Sequence, residues 1–378
     1  MSMIVVEVEG QNQRMSGSYF RGEKPQFYPE DKTLERDYVI DRFFMKGWAP
    51  PQPFIDHSTP IVAFGSCFAK NISNYLHAKG YNVLTKKANK AYVTSMGDGM
   101  VHTHAIRQQF EWAWENRVPK ADLWIGYNQE DFGYDEEARL QTKELFDEAR
   151  VFIITLGLSE IWYDEITGEV FWRQPPESKR DPERHKFRVA SYTETLENLR
   201  AIVALIRKYR PEATILFTVS PIPLRATFRN VSCLSANAVS KSILRAAVDQ
   251  VYRELAHHDG NLFYFPSYDI VMYGFDNQWT ADRRHVYPHV LTFNMMTFEH
   301  FFCLGDVDAQ ALLKNFRHAR ALDQKIARLG HEAVAKLSGA VREARVADRR
   351  LAAEQAAAAR KAARIAARLA ARRKVNDG

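Results

Sequence analysis

Three short stretches carry residue types suited to covalent chemistry: Gly65-Ser66-Cys67-Phe68-Ala69, the loop Asp282-Arg283-Arg284-His285, and Gly157-Leu158-Ser159-Glu160. A thiol or hydroxyl attacks a carbonyl once a base takes its proton, and a carboxylate keeps that base in one tautomer. Cys67 or Ser66 supplies the attacking atom, His285 the base and Asp282 the group that orients it. An apolar run, Ile61–Phe64, ends at Gly65, and a helix follows at once. That turn puts the next side chains at the carboxyl edge of a sheet, where open α/β sheets bind ligands. Ser66 is a good N-cap type, which leaves Cys67 in the first helical turn, where N–H groups and the helix dipole favour a thiolate. Cys67 is therefore preferred as nucleophile, with Ser66 kept as the alternative. Each residue alone also has a plain structural reading: a cap, a small buried hydrophobe, a chance salt link on a surface loop.

A tetrahedral intermediate needs donors near the nucleophile. The N–H of Cys67, the N–H of Gly99 and the groups around Gly157 and Ser159 are the candidates. His102 and His104 lack a companion Cys or carboxylate cluster, so no metal site is expected, and His257-His258 read as a solvated helix end. No phosphate-cradling Gly-Lys-Ser/Thr sequence or Rossmann glycine fingerprint is present.

The elements that must hold these groups alternate. Ile61–Phe64, Tyr81–Leu84, Val151–Leu156, Ala213–Val219 and Leu262–Phe265 read as strands, the longest being apolar but for threonines, as in a sheet covered on both faces. Phe68–Lys79, Thr103 to about Asn116, Ser191–Tyr209, Ser240–His257 and about Phe293 to Cys303 read as helices, and residues 161–172 as a hairpin turning near Thr167-Gly168. The expected fold is a three-layer α/β/α, doubly wound, mostly parallel sheet. Residues 1–55, mixed and aromatic, form an N-terminal arm; 56–306 the catalytic domain; 307–378 a long Ala/Arg-rich helical tail.

Of the 378 residues, 46% are apolar and 26% charged, ordinary values for a globular chain. The basic balance belongs to the tail. Residues 341–378 hold 11 Lys/Arg against 4 Asp/Glu, so with +6 overall the first 340 residues net −1. A nucleic-acid-binding fold is therefore not expected. Within the tail Leu351, Ala358 and Ile365 recur at sevens, fitting a solvated helix, self-association, or contact with an anionic surface through 341–378. Three widely spaced cysteines, no basic-then-apolar leader and no apolar stretch of membrane-spanning length point to the cytoplasm.

Together the stretches resemble the GSCFA domain family, whose motif stands here as Gly65-Ser66-Cys67-Phe68-Ala69. Thr155-Leu156-Gly157-Leu158-Ser159-Glu160-Ile161-Trp162, Val219-Ser220-Pro221-Ile222-Pro223-Leu224, Asn237 with Ser240-Lys241-Ser242, and Tyr264-Phe265-Pro266-Ser267-Tyr268 are similar to further signatures, over about residues 58 to 305. That family resembles the SGNH/GDSL hydrolases. The resemblance implies a triad of Cys67 (or Ser66), His285 and Asp282, with Gly99 as the oxyanion glycine. Ser159 falls where the superfamily has an asparagine donor.

The expected function is acyl transfer: an ester hydrolase or O-acyltransferase acting on a carbohydrate-linked ester. No cofactor is required, and a thioester such as acetyl-CoA serves as donor if the enzyme is a transferase. The reading from a different class is a non-catalytic SGNH-like binding or scaffold protein acting through its C-terminal helix.

Overall fold

The computed structural model describes residues 3–8, 11–16, 26–96, 99–120 and 133–330. In chain order the strands are β1 (Met3–Val8), β2 (Gln11–Ser16), β3 (Ile61–Gly65), β4 (Val151–Leu156), β5 (Glu160–Asp164), β6 (His185–Val189), β7 (Thr214–Val219) and β8 (Leu262–Phe265). The helices are α1 (Asp31–Leu34), α2 (Cys67–Ala78), α3 (Tyr92–Ser95), α4 (Thr103–Glu115), α5 (Glu136–Glu148), α6 (Tyr192–Tyr209), α7 (Cys233–Leu255), α8 (Ser267–Tyr273) and α9 (Pro288–Phe302), followed by helix 309–330.

The central sheet runs β3-β4-β7-β8, all parallel, with Ile61 opposite Val151, Val151 opposite Thr214 and Ile215 opposite Leu262. The expected strand at Tyr81–Leu84 is reduced to one parallel bridge, Ile61 to Val83, because the chain turns into a 3₁₀ segment at Leu84. Counting that bridge as the second strand, the order is 2-1-3-4-5, and the winding reverses between β3 and β4.

Strand residues alternate between two buried layers, which explains the unbroken apolar runs. Val62, Phe64, Phe152, Ile154, Ile215 and Phe217 meet Ile106 and Phe110 of α4, Leu199 and Ile202 of α6, and Leu244 and Val248 of α7. Ile61, Ala63, Ile153 and Leu216 meet Phe68, Ile72 and Leu76 of α2 and Phe293, Phe298 and Phe302 of α9. The arm residues Val39, Ile40, Phe44 and Ile55 join this second layer. So do Leu312 and Phe316 of helix 309–330, a segment that the sequence groups with the tail. Residues 331–378, with the heptad-like spacing, lie outside the described residues.

Several boundaries move for local reasons. α7 begins at Cys233 rather than Ser240, because the Ser232 hydroxyl accepts the Leu234 N–H at 3.3 Å. α9 begins at Pro288, a residue whose missing N–H costs nothing in a first turn. α5 was not expected from the sequence; Asp135 caps it through the N–H groups of Glu137 and Ala138. The hairpin's tight turn forms, with Gly168 N–H donating to Asp164 O at 2.7 Å, but the full partner strand of β5 is β6. No described helix is long and apolar enough to cross a membrane.

α2 and α9 run side by side, and this sets the site. Near their carboxyl ends Tyr75 of α2 and Lys79, its C-cap, both bond Glu299 of α9. α9 then closes at the amino edge of the sheet, where Leu304 N–H donates to Ile55 O at 2.7 Å. The amino ends of both helices, with Cys67 on one and the 278–287 loop leading into the other, therefore face the carboxyl edge.

Candidate active site at the carboxyl edge

β3 stops where a side chain cannot exist. Gly65 has φ +131°, and a Cβ there would lie 2.1 Å from the Thr155 carbonyl oxygen. The chain then turns under β4: Ser66 N–H donates to Thr155 O at 3.0 Å. Gly157, just beyond β4, is glycine for closeness, since its Cβ would stand 2.9 Å from Val101 Cβ and 3.1 Å from Ser66 Cβ.

On this floor the two candidate nucleophiles separate. Ser66 is buried, and its hydroxyl accepts the Phe68 N–H at 3.2 Å as the N-cap of α2. Cys67, one residue on, is exposed at the first helical position. The helix beneath is firmly closed: Gly80, at φ +87°, donates to His77 O, and Tyr81 N–H reaches back to Leu76 O. That pairing is a Schellman ending.

The Asp282–His285 pair forms within its own loop. Trp279 bridges Val286, Thr280 N–H donates to His285 O at 2.8 Å, and Tyr287 N–H to Gln278 O at 2.9 Å. Inside this narrow loop Asp282 Oδ2 lies 2.5 Å from His285 Nδ1. Oδ1 of the same carboxylate accepts from the N–H groups of Arg284 and His285 and from Thr280 Oγ1. The backbone N–H of His285 leads the bonds that hold the Asp282 carboxyl well below the usual carboxylate range. Its bond to Nδ1 fixes the tautomer that leaves Nε2 as acceptor. Both side chains are largely exposed, His285 at 65% and Asp282 at 47%.

Of the expected oxyanion donors, the N–H groups of Gly99, Gly157 and Ser159 are engaged elsewhere in this geometry. Gly99 N–H donates to Met96 O at 2.7 Å, Gly157 N–H to Val101 O at 2.7 Å, and Ser159 N–H to Ser240 Oγ at 2.8 Å. These bonds close the loop and stitch it to β4 and α7, so none of the three N–H groups is open to a ligand here. Ser159 Oγ is the exception: buried, and without a hydrogen-bond partner among the described residues. His102 caps α4 through Ala105 N–H, and burial pulls its pKa down to about 3, while His104 pairs with Glu194. Among the described residues no three His, Cys, Asp or Glu cluster as metal ligands.

Lys241 at the same edge was assigned no role from sequence. It lies on the buried stripe of α7 with Leu244, Val248 and Val251, and its Nζ donates to Gly157 O at 2.6 Å and Ser220 O at 2.7 Å. Burial draws its pKa down to about 7, and the neighbouring Cys67 opposes that shift. A lysine in register with an apolar helical stripe is the signal that could have found it.

No curated protein matches the chain. The model of the GSCFA family matches residues 60–298, from the first residues of β3 through most of α9, and so spans the turn after β3, Lys241 and the Asp282–His285 loop. The chain belongs to the GSCFA family.

Proposed function

We propose that this protein is an acyl-transfer enzyme, an ester hydrolase or O-acyltransferase, that works through an S-acyl intermediate on Cys67. The observation that carries the reading is the exposed Cys67 at the start of α2, on the same sheet edge as the Asp282–His285 pair. A carbohydrate-linked ester is the substrate class this reading favours, because it rests on likeness to SGNH-type enzymes.

The deprotonated thiol attacks the ester carbonyl carbon, a C–S bond forms, and the ester C–O bond breaks. Protonated His285 gives its proton to the departing alcohol oxygen, with Asp282 bound to the other ring nitrogen throughout. In the second half neutral His285 takes a proton from water or a sugar hydroxyl, whose oxygen attacks the thioester. The C–S bond breaks and the thiolate returns. The oxyanion of either half needs donors; Ser159 Oγ, unpartnered among the described residues, and the N–H of Cys67 at the start of α2 are the candidates on this edge.

The test is peptide mass spectrometry and turnover with p-nitrophenyl acetate, an ester whose leaving group needs little acid help. The expected result is an acetyl group on Cys67, with turnover lowered about a hundredfold or more in His285→Ala because deacylation loses its base. An adduct on Ser66 would replace the nucleophile. No adduct on either residue would remove the enzyme reading in favour of the scaffold.

A further inference from the structure

We propose that Lys241, rather than His285, takes the proton of the Cys67 thiol and then holds the thiolate as its counter-ion. The Asp282–His285 pair is thereby left to serve the departing and incoming oxygens. This deepens the acyl-transfer reading and rests on it for the division of labour, though the ion pair itself can be tested without any ester.

The geometry is that of a built position. Lys241 is 2% exposed, and its Nζ is fixed between the carbonyls that follow β4 and end the run of β7, Gly157 O and Ser220 O. An amine offers three tetrahedral positions besides its own carbon when protonated. Two are taken by these carbonyls, and Gly157, which accepts one of the bonds, packs against Ser66 (a Cβ on it would fall 3.1 Å from Ser66 Cβ), so that Cys67, the next residue, belongs to the same corner of the sheet edge. A buried ammonium is costly unless an opposite charge and oriented dipoles surround it. Two carbonyl oxygens and a thiolate provide that setting, whereas two carbonyls and a neutral thiol provide less. Near neutral pH the amine also spends part of its time with a lone pair, since burial brings its pKa to about 7.

The step balances without another reactant: the S–H proton moves to the Nζ lone pair, giving thiolate and ammonium, and both carbonyl bonds persist. The other titratable and charged groups on this edge have work of their own. His102 caps α4, Glu160 accepts from Thr227 Oγ1 at 2.8 Å, Arg173 lies against Gly99, and Asp282 holds an exposed His285. A solvent-exposed imidazole is suited to protons that enter and leave with substrate. A buried amine is suited to one that stays.

The experiment is the rate of Cys67 alkylation by iodoacetamide, followed by peptide mass spectrometry from pH 5 to 10, on the full chain. The proteins are wild type, His285→Ala, Lys241→Met and Lys241→Arg. The expected result is one shared profile for wild type and His285→Ala. Lys241→Met moves that profile upward by about one unit or more, so alkylation on its rising limb slows roughly tenfold at a given pH, and Lys241→Arg recovers part of the loss. A profile unmoved in folded Lys241→Met overturns the proposal. An upward shift in His285→Ala overturns it as well, and that arm decides the matter if Lys241→Met does not fold. Failure of the acyl-transfer reading looks different: the alkylation profiles stand while p-nitrophenyl acetate leaves Cys67 unmodified.

Discussion

The two halves of the candidate site are built in opposite ways. Around Cys67 the side chains are buried and the contacts are long-range: Gly65 against Thr155, Gly157 against Val101 and Ser66, Lys241 against Gly157 and Ser220. Around His285 they are exposed and local, since every bond that shapes the Asp282 carboxylate comes from residues 280 to 285. The candidate nucleophile thus stands on a frame that belongs to the core's own architecture, and the candidate acid–base pair is a self-supporting loop set on it. A substitution in the buried frame around Cys67 should cost stability; one in the Asp282–His285 loop should cost rate and leave the fold alone.

Gly65→Ala is the hardest test of the rigid side. The added methyl meets a backbone carbonyl at 2.1 Å, and φ +131° disfavours any L side chain, so neither strand nor turn can relax cheaply. We expect a loss of about 4 kcal/mol or more, seen as failure to fold or a lowered denaturation midpoint. A variant as stable as wild type would show that the floor under Cys67 is soft, and the contrast would collapse.

Asp282→Asn probes the other side. The amide keeps an oxygen for the backbone N–H groups but presents N–H₂ to His285 Nδ1, which selects the tautomer unable to accept at Nε2. Turnover of p-nitrophenyl acetate should fall a hundredfold to a thousandfold, about 3–4 kcal/mol of barrier, while the thermal midpoint stays within about 1 °C. A midpoint that dropped as far as a core variant's would mean that the loop is structural.

This division also decides what could be read from the sequence. Asp282-x-x-His285 was legible because its geometry is completed within six residues. Gly65-Ser66-Cys67 was legible because a strand, a glycine and a cap follow one another directly. The parallel sheet was legible from runs such as Val151–Leu156, apolar on both faces because two helical layers cover them. Lys241 was not: its partners are 84 and 21 residues away, and only the fold brings the ends of β4 and β7 to its amine. The same holds for the oxyanion donors. Sequence marks Gly99 and Gly157 as turn glycines, but only the structure shows their N–H groups donated to Met96 and Val101. The reduction of Tyr81–Leu84 to one bridge is also tertiary, set by where the chain must bend after α2.

Lys241 makes the buried side sensitive to pH in a defined direction. Its folded pKa, about 7, lies below the ordinary lysine value, so between the two the unfolded chain binds more protons. Stability must therefore rise with pH from about 7 toward 10 relative to a protein lacking this group. Chemical denaturation at pH 7 and pH 9 should show wild type gaining about 2–3 kcal/mol relative to Lys241→Met, at roughly 1.4 kcal/mol per unit, as the cost of the buried ammonium is relieved. A difference constant across that range would mean that the amine titrates at an ordinary value.

The smallest expected effect is the most discriminating for the nucleophile. Ser66 and Cys67 are adjacent, and the family motif contains both, but their surroundings assign them different work. Ser66 is buried and its oxygen already accepts the Phe68 N–H, so Ser66→Ala removes one helix cap and opens no cavity larger than a hydroxyl. The expected cost is about 1 kcal/mol of stability, with turnover within a few-fold of wild type, because Gly65 still sets the turn and Gly157 still packs against the Cβ that alanine retains. Cys67→Ala should do the reverse, leaving stability almost untouched and abolishing turnover. If Ser66→Ala instead abolished turnover while remaining folded, the cap would have to break its bond to Phe68 during the reaction. The attacking oxygen would then come from the buried frame itself, and Cys67 would be left as its exposed neighbour.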